Sequence, residues 1–196
     1  MNIAILASGR GSNADAIFAR AKLGLIPDAD FTVLISDIPN APALDVARKH
    51  SVEAKYVDPQ RVGARFNPDG ARAYIDELKS RKTDLVVLAG FMRILPPEFV
   101  AAFENRIINL HPSLLPSFKG KDAIKQAYDF GVKLCGCTVH FVDNTLDGGK
   151  IIAQKAVEIE PQYTLDELEA RVHDAEHILL PQVVADIAAG KIAIGK

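Results

Sequence analysis

Short apolar runs alternate along this chain with stretches in which apolar residues recur at helical spacing. Residues 3–6 form the first run, which ends in Ser8-Gly9-Arg10-Gly11-Ser12-Asn13, and residues 14–21 then read as a helix. A second strand is predicted over 31–35, followed by a helix over 43–49 behind Pro42, a residue suited to a helix's first turn. A weaker strand over 54–57, a helix over 70–80 and two further strands over 85–88 and 106–110 continue the alternation. Strands that alternate with helices pair in parallel, so the pattern predicts a doubly wound, mostly parallel α/β sheet. From residue 132 the rhythm changes. Residues 132–142 and 150–159 read as two long strands around a glycine-bearing turn at 143–149, which predicts an antiparallel hairpin. An amphipathic helix over 164–189, interrupted or kinked at Pro181, follows it. No repeat, low-complexity tract or Ser/Gly-rich linker marks a boundary, so residues 1–196 are expected to form a single domain.

Composition narrows the picture only a little. The 196 residues are 48% hydrophobic and 24% charged, ordinary for a globular protein and enough for a core without disulfide or metal staples. A formal net charge of -2 gives no overall pull toward nucleic acid or an anionic membrane, which leaves a small molecule as the expected partner. The N-terminal stretch lacks the basic and long apolar regions of a secretion signal, and no run approaches the ~20 apolar residues that span a bilayer. A cytoplasmic location is expected. Cys135 and Cys137, two apart on a strand, would make a badly strained bridge, and two thiols alone do not complete a zinc site; they read as small buried residues.

Four patterns carry candidate chemistry. The first strand feeds Gly9-Arg10-Gly11-Ser12-Asn13 directly into a helix, with Ser12 or Asn13 as the expected cap. Glycines permit the tight turn, and the free N–H groups of the helix's first turn favour a phosphate. The same loop, counting Ala14, matches G-x-G-x-x-A, and Asp37 follows the second strand where a ribose-binding acid would lie. A nicotinamide-dependent oxidoreductase is therefore a rival, and a nucleotide-binding regulatory module is the rival outside enzymes. His173-Asp174-Ala175-Glu176-His177 spells the inverted zinc-peptidase signature, but only Asp186 offers a carboxylate after it, and two histidines on a solvated helix face is the simpler reading. The strongest pattern is Asn109-Leu110-His111-Pro112 with Asp147-Gly148-Gly149. Asn109 and His111 stand at the C-terminal end of an apolar strand, where α/β sheets place ligands, and their spacing turns both to one face. An amide beside a histidine suits a developing oxyanion, and Asp147 is placed to favour the charged imidazole or take a proton. A serine-hydrolase reading fails for want of G-x-S-x-G around Ser113.

These residues also form a larger set. Phe91-Met92-Arg93-Ile94-Leu95, Asn109-Leu110-His111-Pro112-Ser113-Leu114-Leu115-Pro116 and Asp147-Gly148-Gly149 resemble the folate-dependent formyltransferases, over residues 1 to about 192. The resemblance implies that family's Rossmann-like fold, with a C-terminal antiparallel hairpin and helix, in a single formyltransferase domain. Residues 1–100 would be mainly the ribonucleotide-phosphate half and 101–196 mainly the catalytic and folate half. Members acting on tRNA or hydrolysing the formyl-folate carry extra domains, which this chain is not expected to have. It implies 10-formyltetrahydrofolate as co-substrate, glycinamide ribonucleotide as the amine acceptor, and no metal; the chain would act as a monomer or homodimer. Gly11, Ser12 and Asn13 would hold the phosphate, with His173 and Glu176 completing the ribonucleotide site. Met92, Arg93, Ile94 and Leu95, with Val142, Asp143 and Asp147, would line the pterin cleft. Asn109, shared with that cleft, and His111 would bind the formyl oxygen, with Asp147 as partner of His111. Arg65 and Arg72 are both candidates for the folate tail.

Overall fold

The computed structural model describes residues 1–60 and 63–195. In chain order the elements are β1 (Asn2–Leu6), α1 (Ser12–Lys22), β2 (Asp30–Ser36), α2 (Pro42–Lys49), β3 (Ala54–Tyr56), α3 (Pro68–Ser80) and β4 (Leu85–Leu88). They continue with α4 (Pro97–Ala102), β5 (Ile107–His111), α5 (Ala123–Phe130), β6 (Leu134–Phe141), β7 (Ile151–Glu158) and α6 (Leu165–Ala188). The strands make one seven-stranded sheet in the order β3-β2-β1-β4-β5-β6-β7. β1 to β5 pair in parallel; β6 runs antiparallel to β5, and β7 antiparallel to β6.

Local sequence explains most of these elements. β4 is Leu-Val-Val-Leu and buried on both faces, as a central parallel strand must be. Proline opens α2, α3 and α4, where its missing N–H costs nothing. Asn67 caps α3 by accepting from the Gly70 N–H at 2.7 Å, and Thr164 with Glu167 forms a reciprocal capping box on α6. Strand residues then divide by parity between two cores. Ile3, Ile5, Leu85, Val87, Ile108 and Leu110 pack under α1, α2, α5 and α6. Ala4, Leu6, Val86, Leu88 and Ile107 pack under α3 and α4, where Phe66, Tyr74, Phe91, Phe99 and Phe103 meet in edge and tilted contacts.

The structure departs from the sequence reading in several places. α4 and α5 were not foreseen. α1 begins at Ser12, earlier than residue 14, and β6 begins at Leu134, after Gly131 has ended α5 in a left-handed turn. α6 runs as one helix through Pro181, which is buried against the larger core rather than breaking the helix. Packing there outweighs the one helical hydrogen bond that a proline forgoes. The cysteines are buried in the larger core, and burial pushes the Cys135 thiol up to about 11 and Cys137 to about 12, so both remain protonated near neutrality.

Candidate active site

The strand order reverses between β1 and β4, the place where open α/β sheets bind ligands. Two loops leave the sheet there and are tied together. The Ser8 N–H donates to the Gly90 carbonyl at 3.1 Å, and the Met92 N–H donates to Ser8 Oγ at 2.8 Å.

In the first loop Gly11 has φ 79°, and a β-carbon on it would stand 2.7 Å from the Ala43 Cα. Glycine is therefore required by the fit of α1 against α2 as well as by the turn. Gly11 itself is the N-cap of α1, and neither Ser12 nor Asn13 makes the side-chain cap expected of it, because the helix starts one residue sooner. Ser12 is left exposed. Asn13 reaches across to α6, where its Nδ2 donates to Glu176 Oε2 at 3.0 Å. Glu176 is 4% exposed and also meets His173 Nδ1 at 3.0 Å. That hydrogen bond is the main cause holding the His173 pKa above the ordinary histidine value. The helix face carrying the H-x-x-E-H pattern thus packs toward α1 and is not a solvated face. Among the described residues no group of three or more His, Cys, Asp or Glu side chains is gathered as a metal set.

The second loop is anchored by Phe91, buried in the aromatic cluster of the smaller core. It leaves Met92 68% and Ile94 42% exposed, while Leu146 across the hairpin turn is 60% exposed, an unusual display of large apolar side chains beside polar groups. Leu95 packs partly against the smaller core, as does Val142. The Arg93 guanidinium is ion-paired at 2.5 Å with Asp37, whose side chain is fully buried. A buried carboxylate demands such a partner, so the Arg93 guanidinium is committed to Asp37. The same pair engages Asp37 Oδ2 and buries the carboxylate, so Asp37 is not a free ribose acid. Asp143 is likewise committed to its own turn, accepting from the Thr145 N–H and hydroxyl, which keep its carboxyl below the usual range. Ile94 forms an isolated bridge with Arg65, and its N–H donates to the Ala64 carbonyl; Arg72 lies exposed on α3.

Asn109 and His111 share the parity of Ile107, so both face the α3 and α4 side of the sheet, beyond the end of that core. His111 is 5% exposed. Its Nδ1 lies 3.5 Å from Asp147 Oδ2, and its Nε2 is 2.9 Å from the Phe118 carbonyl oxygen. Both neighbours are acceptors, one facing each ring nitrogen. Asp147 is aimed by the Gly120 N–H, which donates to Oδ2 at 2.8 Å. Its backbone takes φ 47°, an uncommon conformation for a residue with a side chain and one that collects at functional sites. Gly149 permits the turn: a β-carbon there would lie 1.9 Å from the Phe141 carbonyl oxygen. The structure also brings in a residue the sequence reading missed. His140 on β6 pairs directly opposite Asn109, is 2% exposed, and places Nε2 3.1 Å from Asn109 Nδ2 and 4.0 Å from Asp147 Oδ1.

A doubly wound sheet with an amide, two imidazoles and a carboxylate converging past β5 is the setting of acyl transfer through an oxyanion. The chain belongs to the formyl transferase family, whose sequence profile matches residues 1–184. It is 39% identical to the phosphoribosylglycinamide formyltransferase of Bacillus subtilis (strain 168), over 94% of this chain and 93% of that protein. It is 37% identical to the human trifunctional purine biosynthetic protein adenosine-3 over 99% of its own length, but spans only 19% of that protein. Among solved structures, glycinamide ribonucleotide transformylase 1 from Symbiobacterium toebii superposes with a TM-score of 0.91 at 39% identity, covering 100% of this chain and 91% of that one.

Proposed function

We propose that the chain transfers the formyl group of 10-formyltetrahydrofolate to the primary amine of glycinamide ribonucleotide, giving formylglycinamide ribonucleotide and tetrahydrofolate in purine biosynthesis. The observation that carries this reading is the convergence of Asn109, His111 and Asp147 at the end of β5. The amine attacks the formyl carbon to give a tetrahedral intermediate. Its oxyanion meets an N–H of Asn109 and the positive charge of His111. Collapse breaks the bond to the folate nitrogen, which takes a proton as the attacking nitrogen loses one; Asp147 and His111 carry that proton. Losing one oxyanion donor costs roughly 10²–10³ in rate.

The loop of Gly11, Ser12 and Asn13 holds the phosphate through the N–H groups of α1, and Glu176 with His173 faces the ribose. Met92, Ile94, Leu95, Val142 and Leu146 give the pterin its apolar walls, with Arg93 and Asp143 contributing main chain only. Arg65, beside Ile94, is the better placed arginine for the glutamate tail. The ribonucleotide pocket thus draws on both halves of one domain. The test is tetrahydrofolate release followed spectrophotometrically, with and without glycinamide ribonucleotide. Release that depends on the ribonucleotide is expected; release without it would make the chain a hydrolase, and no release would defeat the reading.

A further inference from the structure

The Asn109 side chain has a donor end and an acceptor end of nearly the same shape. Only the donor end serves a developing oxyanion, and His140 selects it. The His140 Nδ1 lies 2.8 Å from the Phe141 carbonyl oxygen, an atom that accepts and never donates, so Nδ1 carries the ring proton. In the neutral ring Nε2 is then a bare acceptor, and Asn109 Nδ2 at 3.1 Å donates to it. Turned over, the amide would set its oxygen against that lone pair in a place where His140 is only 2% exposed. Burial lowers the His140 pKa and His111 adds to this, against the pull of the Phe141 carbonyl, Asp147 and Asp143, so the ring stays neutral and the selection persists.

The geometry points to His140 as a positioning residue that spends one Asn109 N–H and leaves the second free for the formyl oxygen, an inference that rests on the formyl-transfer reading. In this role His140 acts through Asn109. Its place directly opposite Asn109 in the β5–β6 register makes the arrangement rigid.

The experiment is steady-state kinetics on wild type, His140→Phe, His140→Gln, Asn109→Ala and the Asn109→Ala/His140→Phe double variant, each with a thermal melt. Phenylalanine keeps the ring and removes the acceptor, whereas glutamine restores an acceptor oxygen that does not titrate. His140→Phe should lose about 10- to 100-fold in kcat, less than outright removal of an oxyanion donor, with the KM of both substrates within about twofold. His140→Gln should recover most of that loss. The double variant should turn over no more slowly than Asn109→Ala, since residues acting as a unit are non-additive. A loss confined to KM, no recovery with glutamine, or losses that multiply would overturn the role. If His140→Phe does not fold, His140→Gln carries the test: kcat within about fivefold of wild type supports it, and a loss of about 100-fold overturns it. Wild-type release of tetrahydrofolate that needs the ribonucleotide is the control on the underlying reading. Its absence defeats that reading, whereas its presence beside a fully active His140→Phe defeats only His140.

Discussion

The two faces of the sheet are finished differently. One face is covered across most of its width by α1, α2, α5 and α6, and its core runs continuously from Ile3 on β1 to Val139 on β6. The other is covered by α3 and α4 alone, and its core stops at Ile107 and Val142. Asn109, His111 and His140 project on that second face just past the stop, where strand alternation would otherwise continue apolar. The covered face uses a strand's two-residue period to exclude water. The short-covered face uses the same period to aim an amide and two imidazoles into one space, on a backbone that packing on the opposite side keeps fixed. The chemistry here sits where the apolar core stops, with Asn109, His111 and His140 on strands and Asp147 on the turn that follows.

The comparison is broken most severely at the reacting centre. His111→Ala and Asp147→Asn should each lower kcat by about 10²–10⁴-fold while leaving thermal stability near wild type. The double variant should be no worse than His111→Ala, as expected of a pair acting as a unit. Losses that multiply in single-turnover kinetics would show that Asp147 works on some other group. The complementary substitution, Phe99→Ala in the smaller core, should do the reverse: about 3–5 kcal/mol of stability lost in a denaturant titration, with turnover per folded molecule retained. A large fall in kcat without that loss would mean the two sides of the boundary are not separable. The smallest effect is expected at the link between α1 and α6. The folded-state pKa of His173 is raised, chiefly by Glu176, so its stabilising effect is full below the ordinary histidine value and fades as pH rises through the raised one. His173→Gln should therefore lower the melting temperature slightly at mildly acid pH and not at alkaline pH. A deficit that grows with pH instead would separate His173 from Glu176.

What could be read from sequence follows from range. The alternation of β1 to β5, the long hairpin strands and the C-terminal amphipathic helix are local patterns, and all are present. α4 and α5 escaped because they span only six and eight residues without side-chain caps, and α5 lacks even the opening proline that marked the equally short α2. Asn109, His111 and Asp147 were legible as residue types at a strand end and in a glycine turn. His140 was not, because its meaning depends on a β5–β6 register that pairs residues 31 apart. The Arg93–Asp37 ion pair was hidden for the same reason: nothing near Arg93 in the chain announces Asp37, 56 residues away. Likewise Gly11 was read through the ligand it would admit, while its contact with Ala43 is visible only once α2 is packed.

The Asn13–Glu176 hydrogen bond joins positions 163 residues apart in the chain. During synthesis the glycine loop and its helix emerge early, but the carboxylate that completes the proposed pocket is added only when α6 is made and docks. Closing so long a loop is entropically slow relative to local contacts. Affinity for the ribonucleotide should therefore be among the last properties a refolding chain regains, after sheet content and after burial of the aromatic cluster, which makes the substrate itself a probe for the final step of folding.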